Sequence, residues 1–67
     1  MKLEIGKTYI DGCGVKAEIM GYTKNYPEYV WSLQGDWYVK ETGEYVTYIQ
    51  GEYDTNKESY HNLIKEL

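Results

Sequence analysis

Phenylalanine and arginine are both absent from these 67 residues, cysteine and proline occur once each, and no long apolar run interrupts the polar sequence. Each absence excludes something. A single thiol, Cys13, forms no internal disulfide, and with one histidine there is no Cys/His set of zinc-site spacing. The lone thiol points to a reducing compartment. No stretch approaches the roughly 20 apolar residues of a membrane helix. The opening Met1-Lys2-Leu3-Glu4-Ile5 carries an early acid and no apolar core, so it does not read as a signal peptide. The expectation is a soluble cytoplasmic protein without a membrane partner. Eleven acids against seven lysines give a net charge of −4. Duplex nucleic acid is held mainly by basic side chains on phosphates, and arginine is its usual guanine reader, so duplex binding is excluded as a partner class.

What the chain has instead is tyrosine and tryptophan. All eleven aromatics are of these two types, nine Tyr and two Trp, and ten of them lie between Tyr22 and Tyr60. Both side chains join a large apolar body to a hydrogen-bonding tip, which suits surfaces that are partly dry and partly wet. At this length the chain is a single domain, residues 1–67, near the lower limit for folding without staples. Self-association is one route to a larger buried core, so a homo-oligomer is expected.

Turn residues recur every 6–12 positions, the rhythm of a small antiparallel β domain. Residues 7–10 read as a first strand and Asp11-Gly12-Cys13-Gly14 as a tight turn. Val15 to Met20 alternates as a second strand ending at Gly21, and residues 22–27 read as a polar loop closed by Pro27. Residues 29–34, 37–40 and 44–49 complete five strands, separated by turns at Gly35-Asp36 and Glu41-Thr42-Gly43. The fold class is therefore mainly β: a five-stranded antiparallel SH3-like barrel or curled sheet. The ending carries two signals. Thr55 with Glu58 fits a capping box, and Tyr60, Leu63, Ile64 and Leu67 follow helical spacing, which favours a short helix from about Asn56. A closing strand around Leu63-Ile64 is the alternative.

Chemistry for catalysis is sparse, and the chain reads as a non-enzyme with no metal and no cofactor. His61 stands in the terminal segment and is expected to face solvent, without the positioned nucleophile and orienting partner that hydrolysis requires. Cys13 sits between two glycines with no basic neighbour closer than Lys16 to lower its pKa. Gly12-x-Gly14 belongs to a hairpin turn and not to a phosphate loop opening a helix.

Several segments resemble small proteins carried by bacteriophages and prophages. The resembling pieces are Ile5-Gly6-Lys7-Thr8-Tyr9 with Gly14 and the strand to Gly21, then Gly35-Asp36-Trp37-Tyr38 with Thr42-Gly43-Glu44-Tyr45. The third is the ending Glu58-Ser59-Tyr60-His61-Asn62-Leu63-Ile64. The resemblance implies an SH3-like barrel or curled sheet in which the ending is a strand. It also implies counter-defence in the host cytoplasm, because some such proteins inhibit host immune proteins and others trap nucleotide signals.

Binding is what the aromatics then suggest. If Gly35-Asp36 is a two-residue turn, Trp31 stands opposite Lys40 and Leu33 opposite Tyr38. That register places Trp31, Leu33, Tyr38 and Lys40 on one face, and Val30, Ser32, Trp37 and Val39 on the other. One tryptophan then faces the core and one faces out. The leading reading is a nucleotide sponge for a cyclic di- or oligonucleotide or an ADP-ribose-type signal. Trp31, Trp37, Tyr38, Tyr29 and Tyr45 would stack on bases, Thr47 would meet polar edges, and Lys40, Lys7 or Lys16 would offset phosphate charge. A ligand of several hundred Å³ would sit between protomers. The alternative is an inhibitor that docks its aromatic, acidic surface onto a host defence protein, in the manner of an anti-CRISPR.

Overall fold

Burial alternates along Thr8–Asp11, the first half of Lys16–Thr23, the second half of Tyr26–Ser32 and Trp37–Val39, and there it shows which face turns inward. The computed structural model describes residues 1–49, 51–55 and 59–67. Its strands are β1 (Thr8–Asp11), β2 (Lys16–Thr23), β3 (Tyr26–Ser32), β4 (Trp37–Val39), β5 (Tyr45–Ile49), β6 (Glu52–Thr55) and β7 (Leu63–Glu66). They form one antiparallel sheet in the order β6-β5-β4-β3-β2-β1-β7. The sheet is a meander curled into a half-barrel, closed on one side by the last strand returning to the first. Among the described residues the only helical element is one 3-10 turn, Ser59–His61, and no helix is long and apolar enough to cross a membrane.

The core fills the hollow of the curl. Leu3, Tyr9, Ala17, Ile19, Val30, Tyr38 and Leu63 pack together there, with Tyr45 against their edge. Leu3 comes from the N-terminal segment, which crosses the hollow with the Leu3 amide donating to the Lys40 carbonyl at 2.7 Å. Tyr9 is 1 % exposed, yet its hydroxyl accepts the Glu4 amide at 2.8 Å. That bond gives the buried phenol tip a partner, and a buried polar group left unpaired costs about 1–3 kcal/mol.

Five expected strands are present with shifted limits, and two more extend them. Residues 22–27 are not a loop. β2 runs on to Thr23 and β3 starts at Tyr26, leaving only Lys24-Asn25 between the paired residues Thr23 and Tyr26. Pro27 stands near the start of β3, a position where the missing donor is tolerated. At the other end of β3, Leu33 and Gln34 leave the strand. β6 escaped the sequence pattern altogether. The ending is a strand: residues 63–66 pair with β1 through Tyr9–Glu66, Ile10–Lys65 and Asp11–Leu63. Residues 56–58, and with them the capping-box Glu58, lie outside the described residues. The helical spacing misled because only Leu63 of that set is buried, while Tyr60, Ile64 and Leu67 are exposed. A helix would also have left the outer edge of β1 unpaired, where the Leu67 amide now donates to the Thr8 carbonyl at 2.9 Å.

Candidate functional site

The β3–β4 hairpin decides where the tryptophans go, and its turn is longer than two residues. Ser32 and Asp36 close a three-residue loop, Leu33-Gln34-Gly35. The Ser32 amide donates to the Asp36 carbonyl at 2.8 Å and the Gly35 amide to the Ser32 carbonyl at 2.9 Å. Asp36 in turn donates its amide to the Ser32 hydroxyl at 3.1 Å. Gly35 has φ of +94°, the left-handed conformation that completes a type I turn with a bulge in three-residue hairpins. The register therefore pairs Tyr29 with Val39, Val30 with Tyr38, and Trp31 with Trp37. This corrects the expected faces. Val30, Ser32 and Tyr38 turn into the core, and both indoles share the opposite face.

Trp31 and Trp37 are each half-buried. The Trp31 indole lies over Gly21, with Nε1 and Cζ2 3.6 Å from where a Cβ would stand. Val46, opposite Trp37 in β5, is 4 % exposed although it lies outside the main core cluster. The two indoles thus form a partly covered apolar strip across β2 to β5, on the side of the sheet away from Leu3 and Tyr9. Toward the far end of β3, the Tyr26 and Tyr29 rings stack with centroids 6.2 Å apart and planes 22° apart. Beside them is an open depression of about 300 Å³ lined by Tyr26, Glu28, Tyr29, Gly51 and Glu52.

The other expected ligand residues are not brought to this strip. Tyr38 is a core residue, its ring 5.8 Å from that of Tyr45. Burial, and then the charges of Asp36, Asp11 and Tyr45, push its phenol well above the ordinary range. Tyr45 and Thr47 alternate with Val46 and so face the opposite side of β5. The Tyr45 amide donates to Asn62 Oδ1 at 2.9 Å, its hydroxyl points to Asp36 Oδ1 at 3.5 Å, and burial with the Asp36 charge raises its pKa. Lys40 Nζ lies 5.6 Å from the centre of the Tyr22 ring. Lys7 is bound by carboxylates, 3.2 Å from Glu4 and 3.4 Å from Glu66. Those hydrogen bonds, with the charges behind them, raise its pKa. His61 is not solvent-facing as expected: it is half-buried, with ring centroids 5.3 Å from Tyr45 and 4.5 Å from Tyr60.

The sequence reading missed Tyr26, Glu28 and Glu52. The signal available is Tyr26-Pro27-Glu28-Tyr29, two phenols flanking an acid, but the expected loop over residues 22–27 and strand over 29–34 divide it. Glu52 comes from β6, and nothing in the local pattern joins it to Tyr29. Among the described residues no group of three or more His, Cys, Asp or Glu side chains could hold a metal ion. Comparison of the chain with models of protein families, with curated proteins and with solved structures finds no match in any of the three.

Proposed function

We propose that this chain is a non-enzymatic binding protein that docks its Trp31–Trp37 strip onto a protein partner and blocks it. The observation that carries the reading is the β3–β4 register, which pairs both tryptophans on the face the core does not use. Tryptophans in half-covered apolar settings are the residues that most often dominate protein interfaces. A net charge of −4 with no arginine favours a basic partner surface. In the phage setting that the sequence resembles, the partner is a host defence protein, and an SH3-like curl of the sheet is the scaffold that presents the strip.

The nucleotide-sponge reading has less behind it. Two of its three expected cations stand elsewhere, Lys7 between Glu4 and Glu66 and Lys40 over Tyr22. The depression next to Tyr29 is lined by Glu28 and Glu52, which repel phosphate.

Affinity capture from a bacterial lysate, run in parallel with a nucleotide thermal-shift panel, separates the two readings. One protein retained by the wild type and by Lys40→Ala, but weakened about thirtyfold by a folded Trp31→Ala variant, is the expected result for a hot-spot side chain. Capture that survives Trp31→Ala would overturn the docking reading. So would thermal stabilisation by a cyclic dinucleotide or an ADP-ribose-type compound that disappears in Lys40→Ala.

A further inference from the structure

Gly21 is the one residue of β2 without a side chain, and its backbone does not require the absence. Five of the described glycines have a positive φ, and Gly21 is not among them. Glycine inside a strand weakens it and often marks the close approach of another group. The approaching group here is the Trp31 indole. Gly21 and Trp31 are direct cross-strand partners, with a register shift on either side of the pair. A Cβ at Gly21 would have three indole atoms as its nearest neighbours, Nε1 and Cζ2 at 3.6 Å and Cε2 at 3.7 Å. Three ring atoms at nearly one distance mean that the indole rests against the β2 backbone and does not stand off the sheet.

We infer, resting on the docking reading above, that Gly21 is a positioning residue for Trp31. Having no side chain, it lets the indole lie flat across β2, and the partner meets this part of the strip with a flat apolar patch and not with a deep pocket. Support of the sheet alone leads to a different expectation. An aromatic laid over a strand glycine also stabilises a sheet, but a β-branched residue suits a strand better than glycine does. If the pose of the ring had no use, valine at position 21 would be neutral or stabilising and would leave docking intact. Alanine would place its methyl at ordinary contact, 3.6 Å from the ring. Valine adds two γ carbons one bond farther out, and these do not fit beneath the indole unless it lifts.

The test has one arm on the protein alone and one on its partner. In Gly21→Ala the new methyl stands against the ring, so its proton signal should move upfield of an ordinary alanine methyl by ring current. An unshifted methyl would overturn the inference whatever the partner does. In Gly21→Val the Trp31 ring protons should lose their cross-peaks to residue 21, with the urea midpoint unchanged or higher. The protein that the wild type retains from a bacterial lysate should bind this variant at least about tenfold more weakly, approaching the loss in Trp31→Ala. Met20→Val, the same kind of change at the neighbouring exposed position, should keep wild-type capture. Full capture by a folded Gly21→Val, beside loss in Trp31→Ala, would overturn the inference and leave the docking reading standing. Capture that survives Trp31→Ala overturns the docking reading and the role of Gly21 with it. If Gly21→Val does not fold, Gly21→Ser, which adds one atom beyond Cβ, takes its place, and full capture by that variant is again the overturning result.

Discussion

Asp11 is the residue on which the first hairpin depends. It is 6 % exposed, and its Oδ1 accepts the amides of Cys13 and Val15, both at 2.8 Å. A buried carboxylate is tolerated there because charged hydrogen bonds repay its lost hydration. Asp11→Ala should therefore cost about 2–3 kcal/mol in urea unfolding, while Asp11→Asn, which keeps the acceptor oxygen, should recover most of it. Tyr38 makes a second prediction at this scale. Its phenol keeps its proton in the folded protein at a pH where the unfolded chain, with an ordinary phenol pKa of 10.0, has lost it. The native state then binds more protons, so stability is fully present below about pH 10 and falls as pH rises above that value. Tyr45 is raised in the same direction and adds to the slope. Urea midpoints measured between about pH 8 and 11 should decline in the wild type and decline less in Tyr38→Phe. Lys7 shows the opposite economy: its carboxylate partners are exposed, so the pair adds little to stability.

At the scale of elements, β7 shows why periodicity alone misassigns a chain end. Tyr60, Leu63, Ile64 and Leu67 satisfy the spacing of a helix, but a pattern of four positions weighs little against a free strand edge and a cavity needing Leu63. The Leu63 amide donates to the Gly43 carbonyl at 2.9 Å, tying β7 to the β4–β5 turn as well as to β1. Gly12 has a related role. A side chain there would meet the Tyr60 carbonyl oxygen at 3.0 Å, so the 3-10 turn Ser59–His61 can lie directly on the first hairpin. These contacts make adjacent residues of β7 unequal. Leu63→Ala should destabilise by about 2–5 kcal/mol, and Ile64→Ala, at a position 60 % exposed, by less than about 0.5 kcal/mol. Equal losses at the two positions in urea unfolding would argue for a helical ending with a broad buried stripe.

For the whole molecule, the number of faces matters more than the number of aromatics. The curled sheet has one interior, where seven of the described side chains form the core cluster, two of them tyrosines. Tyrosine serves that interior because its tip meets backbone or carboxylate at the rim, as at Tyr9 and Tyr45. The reverse of the sheet carries both tryptophans, and at its margin lies the Tyr26–Tyr29 stack with its two acids. The partner proposed above, a basic protein surface with an apolar centre, would match the acidic balance and the tryptophan strip.

Strand-forming alternation, the turns at Asp11–Gly14 and Glu41–Gly43, and the aromatic bias were legible from the amino-acid order, since each is a short-range property of backbone conformation or composition. The eight nominated binding residues were less so: Trp31, Trp37 and Tyr29 fall together, whereas Tyr38, Tyr45, Thr47, Lys40 and Lys7 are placed elsewhere. The place and the length of one turn, Leu33–Gly35 where Gly35-Asp36 was expected, account for much of that difference, shifting the register by three positions. A three-residue loop with Gly35 in the left-handed conformation, in place of a two-residue turn, moves Trp31 from opposite Lys40 to opposite Trp37. Side chains alternate with period two, so such a change decides which of them share a face. The sequence by itself determined an acidic, tyrosine-rich β meander. Only the tertiary structure decided that both tryptophans stand outside the core, that the last segment is a strand on β1, and that Glu52 lines the same depression as Tyr29. Those outcomes depend on register and on contacts between strands distant in the chain, which local propensity does not encode.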